Sequence, residues 1–239
     1  MRPKIYFVLL SLVFQSCVAQ SKPHLVDGEH ETVTKEKFNY YLYFPDEYEE
    51  NQNEKFPLLL FLHGGGESGK NLDVVKRNGP PKLIVSGKQF PFLILAPQNP
   101  HRKKWWNTTA LIQLLDTIVE NNRVDTKRIY LTGLSRGGGA AWDLAVQYPE
   151  KFAAMAVVCG MAPLPYASWL DKNMPIWVFH GEEDRSIPIS ESENMVNKLK
   201  RMGYDVRFTR YPGVGHESWI PAYNTDELYE WFMQQERHD

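Results

Sequence analysis

Six short apolar runs, each closed by glycine or proline, recur along this chain with helical patterns between them. They cover residues 57–62, 92–96, 128–132, 153–159, 176–179 and 206–211. Runs of this length with little alternation predict strands buried on both faces. An aromatic-rich, partly alternating stretch at 38–44 predicts one earlier strand. Between the runs, Leu111, Leu114, Leu115, Ile118 and Val119 share one helical face, with Asn107 or Thr108 as N-cap. Residues 140–148 read as a second helix. Ser190 and Glu193 read as a capping box ahead of Met195, Val196 and Leu199, and Leu228, Trp231 and Phe232 mark a terminal helix. Strand–helix alternation predicts an α/β fold: a mostly parallel sheet with helices on both faces. There is no internal repeat, low-complexity tract or linker, and the segment 160–175 is too short to hold a cap domain.

The chain has 239 residues, 43% apolar and 23% charged, which suits one globular domain. Lys plus Arg is 27 and Asp plus Glu is 29, for a net charge of −2. That balance carries no electrostatic footprint for nucleic acid or an anionic membrane. Arg2 and Lys4 precede an apolar stretch at 5–14 that is too short to span a bilayer. It reads as a signal for export. Two ends of that signal stand open. Cys17-Val18-Ala19 has small residues at −3 and −1 and leaves 20–239 as a single domain; Ser16-Cys17 is a relaxed lipobox, with Phe14 where Leu is usual, that makes Cys17 a lipid-bearing first residue. Either places the protein in the periplasm or outside the cell. Cys159 is then the one remaining thiol, so no internal disulfide can form. Its apolar neighbours mark it as a small buried hydrophobe rather than a nucleophile. No H-E-x-x-H, Cys-x-x-Cys or paired acidic loop suggests a metal, and no cofactor is expected. The oligomeric state is not legible.

Gly133-Leu134-Ser135-Arg136-Gly137 matches G-x-S-x-G, directly after the apolar run at 128–132 and before a helical pattern. A serine in a sharp strand-to-helix turn needs neighbours without a Cβ so that the chain can close. The turn lifts the hydroxyl above the sheet edge, and the helix start offers N–H groups to a developing anion. A serine hydroxyl is a poor nucleophile without a base. His216, in Gly213-Val214-Gly215-His216-Glu217, and Asp184, in His180-Gly181-Glu182-Glu183-Asp184, both follow strands at the carboxyl edge of the sheet. Their chain order, Ser then acid then His, goes with this motif. His216 is therefore the candidate base and Asp184 its orienting acid, with Glu182 and Glu183 as rivals; His180 reads as shaping its loop. His63-Gly64-Gly65-Gly66-Glu67 follows the run at 57–62. Its glycines allow Gly65 or Gly66 to donate a backbone N–H to an oxyanion, with the N–H of Arg136 as the second donor. A phosphate loop is excluded because neither Walker spacing nor G-x-G-x-x-G opens a helix here.

From about residue 38 to 232 these features resemble an α/β-hydrolase of the serine esterase type, in the secreted branch of predicted peptidases, phospholipase/carboxylesterase-like proteins and polysaccharide esterases. The resemblance rests on Leu62-His63-Gly64-Gly65-Gly66-Glu67, Ala96-Pro97-Gln98, a following Trp105 or Trp106, Gly133-Leu134-Ser135-Arg136-Gly137-Gly138, His180-Gly181 with Asp184 and Pro188, and Gly215-His216. It implies an α/β-hydrolase fold without a cap domain, and ester hydrolysis by Ser135, His216 and Asp184. Gly65 departs from the branch, where a larger residue such as Ala often stands. Trp105, Trp106 and Trp219 fall near the catalytic loops. Aromatic walls there suit a sugar ring or an aromatic acyl group, packing under the loops being the alternative. The leading expectation is a carboxylic ester hydrolase acting on acetyl or feruloyl esters of carbohydrate. A serine peptidase of prolyl-oligopeptidase type is the alternative, without that type's propeller, and a non-enzymatic binding protein is the third reading.

Overall fold

A computed structural model describes residues 36–50 and 52–237. The export signal, with its two alternative ends at Cys17 and Ala19, lies outside the described residues. In chain order the elements are β1 (Asn39–Tyr43), α1 (Glu47–Glu50), β2 (Phe56–Leu62), α2 (Gly79–Val85), β3 (Leu93–Gln98), α3 (Thr108–Asn121), β4 (Val124–Leu134), α4 (Arg136–Gln147), β5 (Ala154–Val158), β6 (Ile176–Gly181), α5 (Ser190–Arg201), β7 (Val206–Tyr211), α6 (Trp219–Asn224) and α7 (Asp226–Met233). The strands form one seven-stranded sheet in the order β1-β3-β2-β4-β5-β6-β7. β1 runs antiparallel to β3, and every other pair is parallel.

Residue parity along the strands sorts the core into two layers, because successive side chains of a strand point to opposite faces. Leu58, Leu60 and Leu62 of β2 join Leu131 of β4 and Val157 of β5 beneath α3, α4 and α5. Leu59 and Phe61 join Tyr130, Ala156 and Phe179 beneath α6 and α7. All seven residues of β2 are buried, so a strand with a continuous apolar run sits in the middle of the sheet. β5 shows the same pattern. Among the described residues only a 3₁₀ turn, Leu164–Ser168, separates β5 from β6, and no cap domain is inserted.

Three local expectations change. The helix expected over 140–148 starts earlier, at Arg136, directly after the serine. α2 and α6 were not legible, since each is a short helix that carries proline near its start. The Ser190/Glu193 capping box does not form. Ser190 is itself the first helical residue and no side chain caps α5. Glu193 instead reaches Arg210 of the neighbouring β7 at 3.2 Å. The N-cap of α3 is Asn107, whose side chain accepts from Ala110 N–H at 3.1 Å.

Candidate active site

Ser135 stands between the end of β4 and the start of α4 with φ 53° and ψ −119°. Positive φ is costly for a residue with a Cβ and persists where surrounding contacts over-determine it. Here the Ser135 N–H donates to Val158 O of β5 at 2.9 Å, and Ser135 O accepts from Gly139 N–H of α4 at 3.0 Å. The flanking glycines are demanded by close packing. A Cβ on Gly133 would lie 2.2 Å from Gly137 O, and one on Gly137 would lie 2.1 Å from Leu62 O and 2.5 Å from His63 O. Gly137 is the point where α4 rests on the end of β2.

The steric contrast with the other glycine loop gives a direct test. A Cβ on Gly66 meets nothing within 4 Å, and one on Gly65 meets only the Arg136 side chain at 3.9 Å. Alanine therefore fits at Gly65, the position where the chain departs from its branch. Overpacking against immovable atoms costs about 1–3 kcal/mol or more. Gly137→Ala should lower the urea midpoint by at least that equivalent, while Gly66→Ala leaves it unchanged. Equal stability of the two variants would contradict this packing.

His216 Nε2 lies 2.9 Å from Ser135 Oγ, and His216 Nδ1 lies 2.7 Å from Asp184 Oδ2. His216 enters from the loop after β7 and Asp184 from the loop after β6, so the sheet edge brings together residues far apart in sequence. Asp184 is buried, and its Oδ1 accepts from the N–H groups of Ser186 at 2.8 Å and Ile187 at 2.9 Å. Burial pushes its carboxyl up, but the bonds from His216, Ile187 and Ser186 outweigh burial and hold it below the usual value. The rival acids face outward. Glu182 and Glu183 are exposed, and Glu182 pairs with Arg210 at 2.9 Å. His180 is buried behind the acid, its Nδ1 2.7 Å from Ser192 Oγ and its Nε2 2.9 Å from Ile187 O and 3.2 Å from Asp184 Oδ2. Cys159 forms part of the floor of the site, with its sulfur and atoms of Asp184 and His216 all within 4.8 Å of one another. Burial raises its pKa to about 12, which keeps it a neutral thiol.

Gly65 and Gly66 lie in a single 3₁₀ turn, Gly65–Glu67, beside the first residue of α4, Arg136. Among the side chains that hold this turn, Gln98 donates from Nε2 to Glu67 O at 2.8 Å, and His63 and Arg136 act nearer the glycines. Asn99 N–H donates to His63 Nε2 at 3.0 Å, so the ring proton sits on Nδ1 and is donated to Gly64 O at 2.6 Å. In a planar trans peptide the N–H points opposite the C=O, so this bond aims Gly65 N–H away from His63. The Arg136 guanidinium donates to Ser68 Oγ, to Arg102 O at 2.9 Å and, more weakly, to Gly65 O at 3.5 Å. His63 and Ser68 are supporting residues that the sequence did not single out, because their partners lie on separate loops.

His63 is fully buried. Burial pushes its pKa down to about 4, with the charge of Arg136 acting in the same direction and the bond to Gly64 O opposing it. An unfolded histidine takes up its proton near pH 6.5, whereas folded His63 resists until about pH 4. The unfolded state therefore binds more protons in that window, and stability falls as pH drops from about 6.5 to about 4. A shift of this size corresponds to roughly 3 kcal/mol. Urea midpoints measured from pH 7 to pH 4 should show the decline, and His63→Gln should remove its share of the slope. An unchanged slope in that variant would mean that another group carries it.

The three tryptophans part company. Trp105 is 49% exposed, donates from Nε1 to Asp143 Oδ2 at 2.6 Å and lies over Gly139, on the first turn of α4. The expectation that Trp106 walls the site is corrected. It is 4% exposed and packs on His63 with ring centroids 4.8 Å apart, so it is a buried support beside the Gly65–Glu67 turn and offers no face to a substrate. Trp219 is half-buried, sets its ring edge-to-face on His216 at 5.2 Å and donates from Nε1 to Asn78 Oδ1 at 3.1 Å.

Similarity to known proteins follows the same lines. Acyl-protein thioesterase 1 of Gibberella zeae is 29% identical over 67% of this chain and 83% of its own length. Probable feruloyl esterase C of Aspergillus flavus is 26% identical over 82% of this chain and 73% of its own. The crystal structure of a thermostable esterase superposes with a TM-score of 0.72 at 32% identity, covering 83% of this chain and 59% of that one. The model of the dienelactone hydrolase family matches residues 100–224, a stretch that holds Ser135, Asp184 and His216. That match spans over half of the chain, so the chain belongs to the dienelactone hydrolase family and is a carboxylic ester hydrolase of the α/β-hydrolase fold.

Proposed function

We propose that the protein is an exported serine esterase that cleaves acetyl or feruloyl esters carried on carbohydrate. The observation that carries the reading is the unbroken relay from Ser135 Oγ through His216 to Asp184, with spans of 2.9 and 2.7 Å. His216 takes the hydroxyl proton as Ser135 attacks the ester carbonyl, and Asp184 holds the proton on Nδ1 so that Nε2 is free to accept it. The negative oxygen of the tetrahedral intermediate is met by the N–H of Arg136 and by Gly65 or Gly66. His216 then gives its proton to the leaving alcohol. Water, activated by the same ring, hydrolyses the acyl-enzyme.

Export suits a substrate met outside the cell. The segment between β5 and β6 can rim a cleft but is too short to enclose one, which suits a bulky carbohydrate ester. Trp105 offers a half-exposed indole beside the nucleophile helix, a surface on which a sugar or feruloyl ring gains about 1 kcal/mol beyond area burial. The similarity to a probable feruloyl esterase supports the same class. The test is fluorophosphonate labelling at Ser135, followed by a panel of feruloylated and acetylated oligosaccharides set against p-nitrophenyl acetate and peptide amides. Turnover of p-nitrophenyl acetate with none of the carbohydrate esters removes the carbohydrate part of the reading. Cleavage of peptide amides at comparable rates would favour a peptidase.

A further inference from the structure

Asn78 sits in the sequence Asn78-Gly79-Pro80-Pro81, at the N-cap of α2. Asparagine is favoured there because its side-chain oxygen accepts from the N–H of the second or third helical residue. Here those residues are Pro80 and Pro81, which have no N–H to offer. The Asn78 side chain accordingly makes no capping bond. Its carboxamide is released for other partners, and its backbone is fixed. Gly79 follows at φ +63° so close to Phe61 that a Cβ would lie 2.5 Å from the ring.

The released carboxamide has two partners. Its Nδ2 donates to Oε1 of Glu67, a buried carboxylate in the 3₁₀ turn of the oxyanion donors. Its Oδ1 accepts from Nε1 of Trp219, whose ring lies edge-to-face on His216. One side chain therefore joins the turn that holds Gly65 and Gly66 to the loop that holds the base, although Asn78 and Trp219 are 141 residues apart.

We propose that Asn78 is a positioning residue, acting through Trp219 on His216 and through Glu67 on the oxyanion turn, so that base and donors keep a common frame around Ser135. Trp219 is then a strut for the base rather than a wall for the substrate. The proposal rests on the catalytic reading of Ser135 and His216 given above. Both loops leave separate strands, and nothing in the sheet register alone sets their relative height to a fraction of an ångström. A displacement of about 1 Å at a reacting group costs on the order of 10²-fold in rate.

The test is steady-state hydrolysis of p-nitrophenyl acetate by the whole enzyme, a substrate too small to gain from distant contacts. Asn78→Ala should lower kcat by about 10²-fold while KM stays within about twofold. Trp219→Phe keeps a ring against His216 but loses the N–H donor, and should lose kcat to a similar extent with an unchanged melting temperature. The double variant should lose no more than the worse single, because both cut the same connection. Glu67→Gln keeps an oxygen that can accept from Asn78 and should retain most of the rate, whereas Glu67→Ala should not. Additive losses, an effect confined to KM, or full activity in Trp219→Phe would each overturn the proposal. Should Asn78→Ala fail to fold, the Trp219→Phe and Glu67→Gln arms still decide. A wild-type enzyme that neither turns over esters nor reacts with a fluorophosphonate would instead sink the catalytic reading itself.

Discussion

Ser135→Ala should lower kcat on p-nitrophenyl acetate by about 10⁶-fold, because in the proposed mechanism nucleophile, base and acid act as a unit and loss of the nucleophile removes all of it. Folding should hardly change. The substitution deletes one hydroxyl, and alanine faces the same backbone cost at φ 53° as serine does. The bonds from Ser135 N–H to Val158 O and from Gly139 N–H to Ser135 O involve the main chain and survive. Cys159 cannot take over the attack, since it is buried and its pKa of about 12 leaves almost no thiolate at neutral pH. What remains should be the modest acceleration supplied by oxyanion donors and binding. Kinetics on material shown by its melting temperature to be folded, together with loss of fluorophosphonate labelling, checks this. A variant that keeps a tenth of its activity would remove Ser135 from the mechanism, and with it the proposed function.

The parts legible in the sequence were those whose physics is local. β2 and β5 announce themselves by continuous apolar runs, because a central parallel strand buries both faces. The turn at Ser135 is legible because Gly133 and Gly137 have no room for a Cβ, a requirement that leaves glycines at fixed offsets. Asp184 and His216 are legible because each follows a strand and so falls at one edge of the sheet.

What stayed hidden depends on contacts between distant segments. Trp105 and Trp106 look alike in sequence, yet one ring turns out over Gly139 and the other packs down on His63. Glu193 carries the signature of a capping box, but Arg210 on β7 draws its carboxylate away. His63 reads as the first letter of a glycine motif, and only the bond from Asn99 N–H shows that its tautomer sets the direction of the Gly65 peptide. Asn78 reads as an ordinary helix cap until the two prolines after it are counted as missing donors.

Asp184→Asn should fold normally and lose about 10⁴-fold in kcat, by placing the proton on the wrong nitrogen of His216. The surrounding hydrogen bonds decide which way the new amide points. Asp184 Oδ1 accepts from two backbone N–H groups, of Ser186 and Ile187, at 2.8 and 2.9 Å. An amide NH₂ placed there would face two donors, so the Asn carbonyl must take that side. Its NH₂ is then turned toward His216 Nδ1, where Asp184 Oδ2 accepts at 2.7 Å. A donor at that position requires an unprotonated Nδ1, which moves the proton to Nε2, the atom 2.9 Å from Ser135 Oγ. A protonated Nε2 cannot accept the serine proton, and the base is disabled without any change in shape. His180 pulls the other way, since its Nε2 carries a proton to donate to Ile187 O at 2.9 Å and that proton leans on Asp184 Oδ2 at 3.2 Å. That single longer contact is set against the two shorter backbone bonds at Oδ1, which therefore decide the orientation. The control is Glu183→Gln, at an exposed position next in sequence, which should leave kcat unchanged. Reversal of the two results would move the acid by one residue. A loss in Asp184→Asn that appears in KM and leaves kcat intact would mean that Asp184 shapes substrate binding and does not govern the His216 tautomer.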